Sequence, residues 1–442
     1  MKQMNPKRRI RDGMRKTGGP TYAVPVFAIL LLIIATLMGC AGDARKSDVA
    51  VRDSAGIRIV ENLPGSIEAA GTWTLSHDPV VEVGGGVDPA TPLYHVTDVA
   101  PLDDGRVAVA VNTPPQVHVF GSDGTLTTTL GRAGAGPGEF ASVASIVPFT
   151  GDSVAVWDAD RRRISIFETS GRYVREIDVS DLAPVSTRAA PSMSTASGFT
   201  HLLASGPRAF VIFGEGAVAP DPAPGISRPT LPSIRISTSG NALAQFGEMP
   251  GMEMVHGGPA GSLPLPFGAR TDAATSGEVL VTGTGDLTQI RVFGNDGSPI
   301  RIVRWPDRDR TVGGDWLDEW TAMVENAPPP IRELVDATPR RELFPAYTGI
   351  LTSDEGDVLV GEYAGPIGIW PLRHAGEGPE ALRPVRRTRE QRWLVFDNAG
   401  VITATLRTPE GFAPDAIRDG RIWGVFTDTL DVESVRAYRI VR

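Results

Sequence analysis

A repeat of 47 residues is the feature of this sequence that most restricts its fold. Two stretches align without a gap: VAPLDDGRVAVAVNTPPQVHVFGSDGTLTTTLG, which begins at Val99, and IVPFTGDSVAVWDADRRRISIFETSGRYVREID, which begins at Ile146. Pro101 matches Pro148 at the same spacing. Apolar residues alternate within each copy, which is the period of β-strands, and short breaks with Gly or Asp indicate tight turns. Each copy therefore predicts a meander of four short strands.

The third strand of this repeat recurs along the chain. It is found as QVHVF, RISIF, SIRIS, QIRVF, RWLVF and SVRAY, and a second apolar strand precedes each of the six. A unit of four antiparallel strands is the blade of a β-propeller, and such blades close into a ring. We therefore predict an all-β fold, a six-bladed β-propeller.

The end of the chain predicts how the ring closes. After Tyr438 only RIVR remains, which is too short for a fourth strand. VVEVGGG, which begins at Val80, aligns with TTTLGRA, which begins at Thr127, again 47 residues apart. We therefore expect residues 80–83 to close the last blade, so that both chain ends share one sheet and leave no open edge. GIRIVEN, residues 56–62, is a candidate for an extra edge strand.

A short helical insertion is predicted at about 311–338. In DWLDEWTAMVENAPPPIRELVD the residues Trp316, Trp320 and Val324 form a helical stripe, and the prolines from Pro328 end that helix. The stripe indicates either a lid over the central channel or a helix that docks on the rim of a blade. Docking is the commoner use of an amphipathic stripe.

The N-terminal residues 1–39 have the order of an export signal. A basic run, MKQMNPKRRIRDGMRK, precedes an apolar run that ends in LMGC at Cys40, and the chain has a single cysteine. This end resembles the lipobox of bacterial lipoproteins, and an ordinary membrane anchor is the alternative. The resemblance implies that Cys40 carries a lipid and begins the mature chain. We interpret residues 40–54 as a flexible tether and 55–442 as the propeller.

The lipobox resemblance also implies a location. The protein is expected to be exported and lipid-anchored to the bacterial cell envelope. Ala41 stands where an aspartate is associated with retention in the inner membrane. We therefore expect the periplasmic side of the outer membrane.

The charge of the chain argues against nucleic acid as a partner. Seven of the 43 Lys and Arg residues and one of the 52 Asp and Glu residues precede Cys40, so the formal net charge of -9 becomes −15 beyond it. Such a surface repels a phosphate backbone.

Lys46 is the last lysine, which excludes a Schiff-base lysine from the propeller. We expect a monomer that contacts the membrane through its lipid.

The glycine-rich stretch GRAGAGPGEF looks at first like a phosphate-binding loop. A dinucleotide loop needs G-x-G-x-x-G between a strand and a helix, but here no helix is predicted to follow. The stretch instead connects the first two blades. We predict that its glycines adopt positive φ in a reversal of the chain, while Phe140 packs between the blades.

Four segments carry a resemblance to a known class of propellers: GRAGAGPGEF, DSVAVWDADRRRISIFETSGR, WLVFDNAG and DVESVRAYRIVR. Together they resemble NHL-repeat and TolB-like six-bladed propellers, in particular the propeller lipoproteins of certain Gram-negative bacteria. The resemblance covers roughly Val80 to Arg442. It implies the fold and says little about activity.

One face of the predicted ring carries all the long loops. The links between the second and third strands, and those between blades, lie there, whereas the opposite face has minimal turns such as DDG and NDG. Loops that elaborate one face of a rigid scaffold commonly carry the binding site. Each polar strand end on this face also has a purely local alternative, a solvated or hydrogen-bonded side chain. Together with Asp272, the candidate ligand-binding residues are His95, Asp98, Asn112, Asp158, His201, Arg270, Tyr347 and Glu362.

Two functions remain open from the sequence. The first is a binding or scaffold module for a protein, peptide or glycan, because H-E-x-x-H, G-x-S-x-G and a cysteine nucleophile are all missing from the sequence. This function requires no cofactor. The alternative is a metal-dependent hydrolase or lyase of the gluconolactonase-like type, with Ca²⁺ or Zn²⁺ in the central funnel. Under that alternative Asp98, Asn112, Asp158 and Glu362 are the candidate ligands.

Overall fold

The computed structural model describes residues 48–85, 91–182, 201–214, 223–257, 262–265, 267–325, 329–338, 341–364 and 389–442. The predicted signal, Cys40 and most of the predicted tether lie outside these residues, as do residues 183–200 and 365–388 of two long insertions. Within the described ranges, no helix combines the length and apolar character needed to cross a membrane.

Blades 1 to 3 each contain four antiparallel strands paired in chain order, which confirms the predicted meander. The strands of blade 1 are Val96–Pro101, Val107–Asn112, Pro115–Phe120 and Leu126–Leu130. Those of blade 2 are Ser145–Phe149, Ser153–Asp158, Arg163–Glu168 and Tyr173–Asp178. Those of blade 3 are His201–Ala204, Ala209–Phe213, Thr230–Ser237 and Ala242–Pro250.

Blades 4 to 6 complete the ring, and the predicted six-bladed β-propeller is confirmed. The innermost strands of neighbouring blades contact one another all the way round. The strands of blade 4 are Asp272–Ser276, Val279–Gly283, Gln289–Phe293 and Pro299–Arg304. Those of blade 5 are Ile350–Thr352, Val358–Gly361, Gln391–Phe396 and Ile402–Thr408. The C-terminal strands of blade 6 are Phe412–Arg418, Arg421–Thr427 and Glu433–Val441.

The ring closes as predicted, with a strand from the N-terminal part of the chain. Val81–Gly84 pairs antiparallel with Glu433–Val441, and Val83 lies opposite Val435. Val83 is fully buried in the hydrophobic cluster between blades 6 and 1. The predicted strand at 80–83 is thus confirmed with a shift of one residue.

The N-terminal segment does more than close the last blade. Val49–Ser54 and Ile57–Asn62 form a hairpin, and the second of these strands runs parallel to Pro299–Arg304 on the outer edge of blade 4. Gly71–Thr72 then pairs with blade 5, and Thr74–Leu75 pairs with blade 6. We call residues 49–84 the N-terminal belt.

The belt corrects one prediction and completes another. The predicted flexible tether, 40–54, is wrong for Val49–Ser54, because these residues form a paired strand. The candidate edge strand at 56–62 is present as Ile57–Asn62, on blade 4. The belt therefore covers the outer edges of three consecutive blades with backbone hydrogen bonds.

The hydrophobic core is divided into clusters between neighbouring blades. Residues of blades 1 and 2 form one such cluster, which includes Leu130, Phe140 and Phe167. Phe140 is 1% exposed, and its ring centroid lies 5.7 Å from that of Phe167. The predicted packing of Phe140 between the blades is confirmed.

The glycine-rich link offers a matched test of this packing. Gly131 and Gly151 have nearly equal backbone angles, φ 66° and 69°. A Cβ at Gly131 would lie only 2.1 Å from the Phe140 ring, whereas nothing lies within 4 Å of one at Gly151. We expect Gly151→Ala to lower the free energy of unfolding by about 1 kcal/mol. Gly131→Ala should cost about 2 kcal/mol more, because the ring must shift. Urea unfolding measures both, and equal losses would contradict the packing.

The long links build a second layer on one face of the ring, which we call the insertion cap. Helices α1 (Asp315–Glu325) and α2 (Pro329–Asp336) form part of it. A small sheet of Gly225–Ser227, Met254–His256 and Ser262–Pro264 forms another part. The cap has its own apolar cluster, made of Val255, Leu265, Phe267, Trp320, Val324 and Leu334.

The cap shows how the predicted helical stripe is used. Trp320 and Val324 are buried, and their cluster includes links that enter or leave blades 3, 4 and 5. Phe267 packs edge-on against Trp320 at 5.6 Å. The stripe therefore docks on the rim of these blades, which is the second of the two uses expected from the sequence.

Candidate functional site

Asp98 and Asn112 fasten blade 2 to blade 1. The Ile146 N–H donates to Asp98 Oδ2 at 2.7 Å, and the Val143 N–H donates to Asn112 Oδ1 at 2.7 Å. His95 lies beside them at the start of blade 1, with a positive φ of 56°, and its carbonyl accepts from the Asn112 N–H. Asp98 and Asn112 therefore hold the segment that links blade 1 to blade 2.

Asp158 has a comparable role after the second strand of blade 2. It is fully buried, and its two oxygens accept from the backbone N–H groups of Ala141 at 2.9 Å and Arg161 at 3.1 Å. Burial raises the pKa of Asp158, and these hydrogen bonds oppose that rise. The Asp-Ala-Asp-Arg sequence is a recognisable signal for this turn, because an Asp side chain commonly accepts from an N–H shortly after it.

Tyr347 belongs to the core between blades 4 and 5. It is 1% exposed, and its hydroxyl donates to the Gln289 carbonyl at 2.9 Å. A Cβ on Gly283 would overlap this hydroxyl, so the glycine leaves room for it. Burial raises the pKa of Tyr347, which keeps the phenol protonated.

His201, Arg270 and Asp272 come together at the start of the innermost strands of blades 3 and 4. His201 begins the first strand of blade 3, and Asp272 begins that of blade 4. Arg270 Nη2 lies 3.0 Å from Asp272 Oδ1. All three lie on the face that carries the insertion cap, because the first strands of all blades run in the same direction. We call them the axial cluster.

Two buried polar atoms of the axial cluster have unused hydrogen-bonding capacity. Asp272 is 4% exposed, and its Oδ2 has no hydrogen-bond partner within the described part of the chain. The same holds for Nε of Arg270. A buried polar group without a partner is costly, and native proteins keep few of them. Among the described residues, the cluster therefore contains one buried acceptor and one buried donor without a partner.

Burial raises the pKa of Asp272, and the electrostatic effect of Arg270, its hydrogen bond and the nearby His201 oppose that rise. Strongly perturbed carboxyl groups are frequent at functional sites. The Asp272 carboxyl fits that pattern, because it lowers stability and its Oδ2 has no partner among the described residues.

We expect Asp272→Asn to remove a pH-dependent cost. The folded protein holds this proton more tightly than the unfolded chain does, so wild-type stability falls as the pH rises above about 4 through the raised pKa. The variant lacks that titration. The free energy of unfolding of the variant, relative to that of the wild type, should therefore be higher at pH 7 than at pH 4. Urea unfolding at the two pH values measures the gain, and an unchanged or reversed difference would contradict it.

Glu362 joins two cations next to the cap. Arg308 Nη1 donates to both carboxylate oxygens at 3.0 Å, and Arg392 Nη1 lies 3.6 Å from Oε1. Two guanidinium groups thus face one carboxylate. The sequence predicted Glu362 but missed both arginines, because Arg308 lies in an insertion without a repeat signal and Arg392, in the strand Gln391–Phe396, shows no sequence sign of its partner.

The small sheet of the cap contains a pair that the sequence did not reveal. Ser227 Oγ lies 2.5 Å from His256 Nε2, and burial lowers the pKa of this imidazole. Gly225 is paired with His256 in the antiparallel register, so Ser227 and His256 are diagonal neighbours on one face. Such cross-strand pairs stabilise sheets. This one fastens the strand at 225–227 to the strand at 254–256.

The four residues proposed as metal ligands do not converge. Among the described residues, no group of three or more His, Cys, Asp or Glu side chains could hold a metal ion. Asp98, Asn112 and Asp158 accept backbone hydrogen bonds between blades 1 and 2, whereas Glu362 pairs with arginines of blades 4 and 5. The residues that the structure does bring together are those of the axial cluster.

Comparisons with known proteins concern the fold. No family model and no curated protein matches this chain. Among solved structures, it is similar to a member of the DUF4221 family from Bacteroides vulgatus, at 11% identity and a TM-score of 0.47, over 84% of this chain and 99% of that one. A candidate exported protein from Bacteroides fragilis is similar at 11% identity and a TM-score of 0.43, over 85% of this chain and 97% of that one. Virginiamycin B lyase from Staphylococcus aureus is similar at 12% identity and a TM-score of 0.38, over 84% of this chain and 100% of that one. Likeness at this level describes the fold and does not extend to activity.

Proposed function

We propose that this protein is an exported, lipid-anchored propeller that acts as a binding or scaffold module for a protein, peptide or glycan. Its ligand is held on the face that carries the insertion cap. The observation that carries the proposal is the asymmetry of the ring: three blades contribute to one cap with its own apolar cluster, while the other face has tight turns. Elaborated loops on a rigid scaffold are the usual place of binding sites.

The axial cluster lies on the same face and supports the proposal that a ligand binds there. Asp272 Oδ2 and Arg270 Nε are buried without a partner among the described residues, and a ligand hydroxyl or amide that reached them through a local opening of the cluster would satisfy both. Both groups occur in peptides and in glycans. Binding would therefore relieve the cost of two unpaired polar atoms.

Photo-crosslinking in cells tests which face is used. A benzophenone amino acid is placed at Leu287, Leu343 or Leu430, which are 56%, 51% and 80% exposed on the face of the cap. We expect discrete adducts from these positions. Matched positions in the tight turns of the other face, Asp104 and Asp296, should give none. Adducts confined to the tight turns, or none from the cap face, would reject the proposal.

Lipid attachment at Cys40 is tested separately. The purified membrane fraction of cells fed radioactive palmitate should contain the labelled protein. Cys40→Ser should lose the label and the cleavage that precedes it. A retained label in that variant would reject Cys40 as the attachment site, without affecting the binding proposal.

A further inference from the structure

A cavity of about 210 Å³ lies between blades 4 and 5, on the face opposite the insertion cap. Its position follows from Ser276, at the end of an innermost strand, and Asn398, in a tight turn, which both line it. Ile300 also lines the cavity and is 40% exposed, so the lining extends to the surface of the protein. The wall is apolar and comes from both blades, mainly from Val281, Ile290, Val292, Val303, Val358 and Phe396.

The repeat shows which side chain is small at this cavity. Ser276 of blade 4 corresponds to Leu102 of blade 1 and to Phe149 of blade 2. The three correspond because each follows the residue whose partner on the second strand is itself paired with the phenylalanine of the third strand. Blade 4 therefore has a serine where blades 1 and 2 have large apolar residues.

The large side chains at this position pack towards the next blade. Leu102 is 6% exposed in the cluster between blades 1 and 2, and the ring centroid of Phe149 lies 5.4 Å from that of Phe210 in blade 3. Ser276 has a much smaller side chain, and the cavity lies beside it. Protein interiors are closely packed, and side chains that line an unfilled cavity lose contacts that would stabilise the fold.

The charges at the rim do not favour an ionised occupant. Arg301 and Asp397 both line the cavity and carry opposite charges. Arg301 Nη1 donates to the Asn398 carbonyl, and Asp397 Oδ1 accepts from the N–H groups of Ala399 and Val401. An ion that entered would give up its hydration against an apolar wall, which is costly. A neutral apolar group gains contacts there without that cost.

We propose that this cavity binds a small neutral apolar group, of the size of one benzene ring with a short alkyl substituent. An apolar cavity of roughly 150 Å³ is enough to bind benzene, and this one is larger. The bound ring contacts the valines of blade 4 and Phe396 of blade 5, and it takes the place that Leu102 fills in blade 1. The site lies away from the cap and is independent of the proposed binding face.

Titration with toluene tests the site on the purified full chain. Methyl NMR signals of Val281, Val292, Val303 and Val358 report occupancy directly, because these side chains line the cavity. We expect toluene to shift these signals in a saturable way. Benzoate, which has a similar size but a negative charge, should bind at least about tenfold more weakly. Signals from valines in blades 1 and 2 should not move.

Two variants at one position separate filling of the cavity from loss of the serine hydroxyl. Ser276→Leu introduces the side chain that blade 1 has at this place, so it should abolish the toluene shifts and raise the urea midpoint of unfolding. Ser276→Ala is the matched control, because it removes the same hydroxyl and leaves the space open. It should bind toluene like the wild type.

Several outcomes would overturn the proposal. Benzoate that binds as tightly as toluene would exclude a site for neutral groups, and unsaturable shifts would indicate surface association only. Unchanged toluene binding in Ser276→Leu would place the ligand elsewhere. If that variant fails to fold, the saturation and the selectivity of the wild type still decide the matter. None of these outcomes bears on crosslinking from the cap face.

Discussion

Val83→Asp is expected to lower the free energy of unfolding by about 4 kcal/mol or more, the largest effect foreseen for a single change here. Val83 is fully buried, lies opposite Val435 and packs in the cluster that joins blade 6 to blade 1. Because Val83 packs among apolar side chains, a carboxylate there must either ionise in an apolar site or force the strand out. Either way the ring opens where its two chain ends meet.

Urea unfolding and limited proteolysis measure this loss. Val80→Asp is the matched control, because Val80 is 39% exposed next to the same strand and a charge there remains in water. We expect it to change stability by less than about 1 kcal/mol. Similar stability of the two variants would show that closure by Val81–Gly84 is not what holds the ring together.

Asn62→Ala is expected to cost about 3 kcal/mol. Asn62 is 4% exposed, and its amide makes three hydrogen bonds that join two blades to the belt. Nδ2 donates to the carbonyls of Arg304 and Gly400, both at 3.0 Å, and Oδ1 accepts from the Ile402 N–H at 2.9 Å. Alanine leaves all three backbone groups buried without this partner, which costs more than the loss of a surface bond.

The control for this prediction is another asparagine with only a local role. Asn241 is exposed, and its amide donates to Ser239 Oγ within the same turn. Asn241→Ala should change the free energy of unfolding by about 0.5 kcal/mol or less. If denaturant unfolding gave equal losses for the two alanine variants, the belt would contribute little to the junction of blades 4 and 5.

The belt illustrates what a repeat can and cannot predict. The strand at 81–84 was found because VVEVGGG aligns with the fourth strand of another blade at the spacing of the repeat. Gly71–Thr72 and Thr74–Leu75 are too short to show any period, and they bind to edges far away in the sequence. Their pairing depends on which edges remain open after the blades have formed.

The candidate site shows the same limit for polar residues. The sequence placed His95, Asp98, Asn112 and Asp158 at strand ends on the face that carries the insertion cap, but it could not tell a side chain that is hydrogen-bonded by its neighbours from one that has no partner. Asp98 and Asp158 turned out to accept backbone N–H groups. Asp272, in a comparable position, keeps a buried oxygen without a partner in the described structure.

By itself the sequence determined the number of blades, their strand order and the way the ring closes. Alternation within strands and the spacing of the repeat are local properties, and each strand of a meander pairs with the strands next to it in the sequence. Tertiary structure alone decided where the insertions pack, which polar atoms remain unpaired and where a cavity is left between two blades. These depend on side chains that meet from distant segments, such as Arg301 and Asn398, and no local pattern encodes their distance.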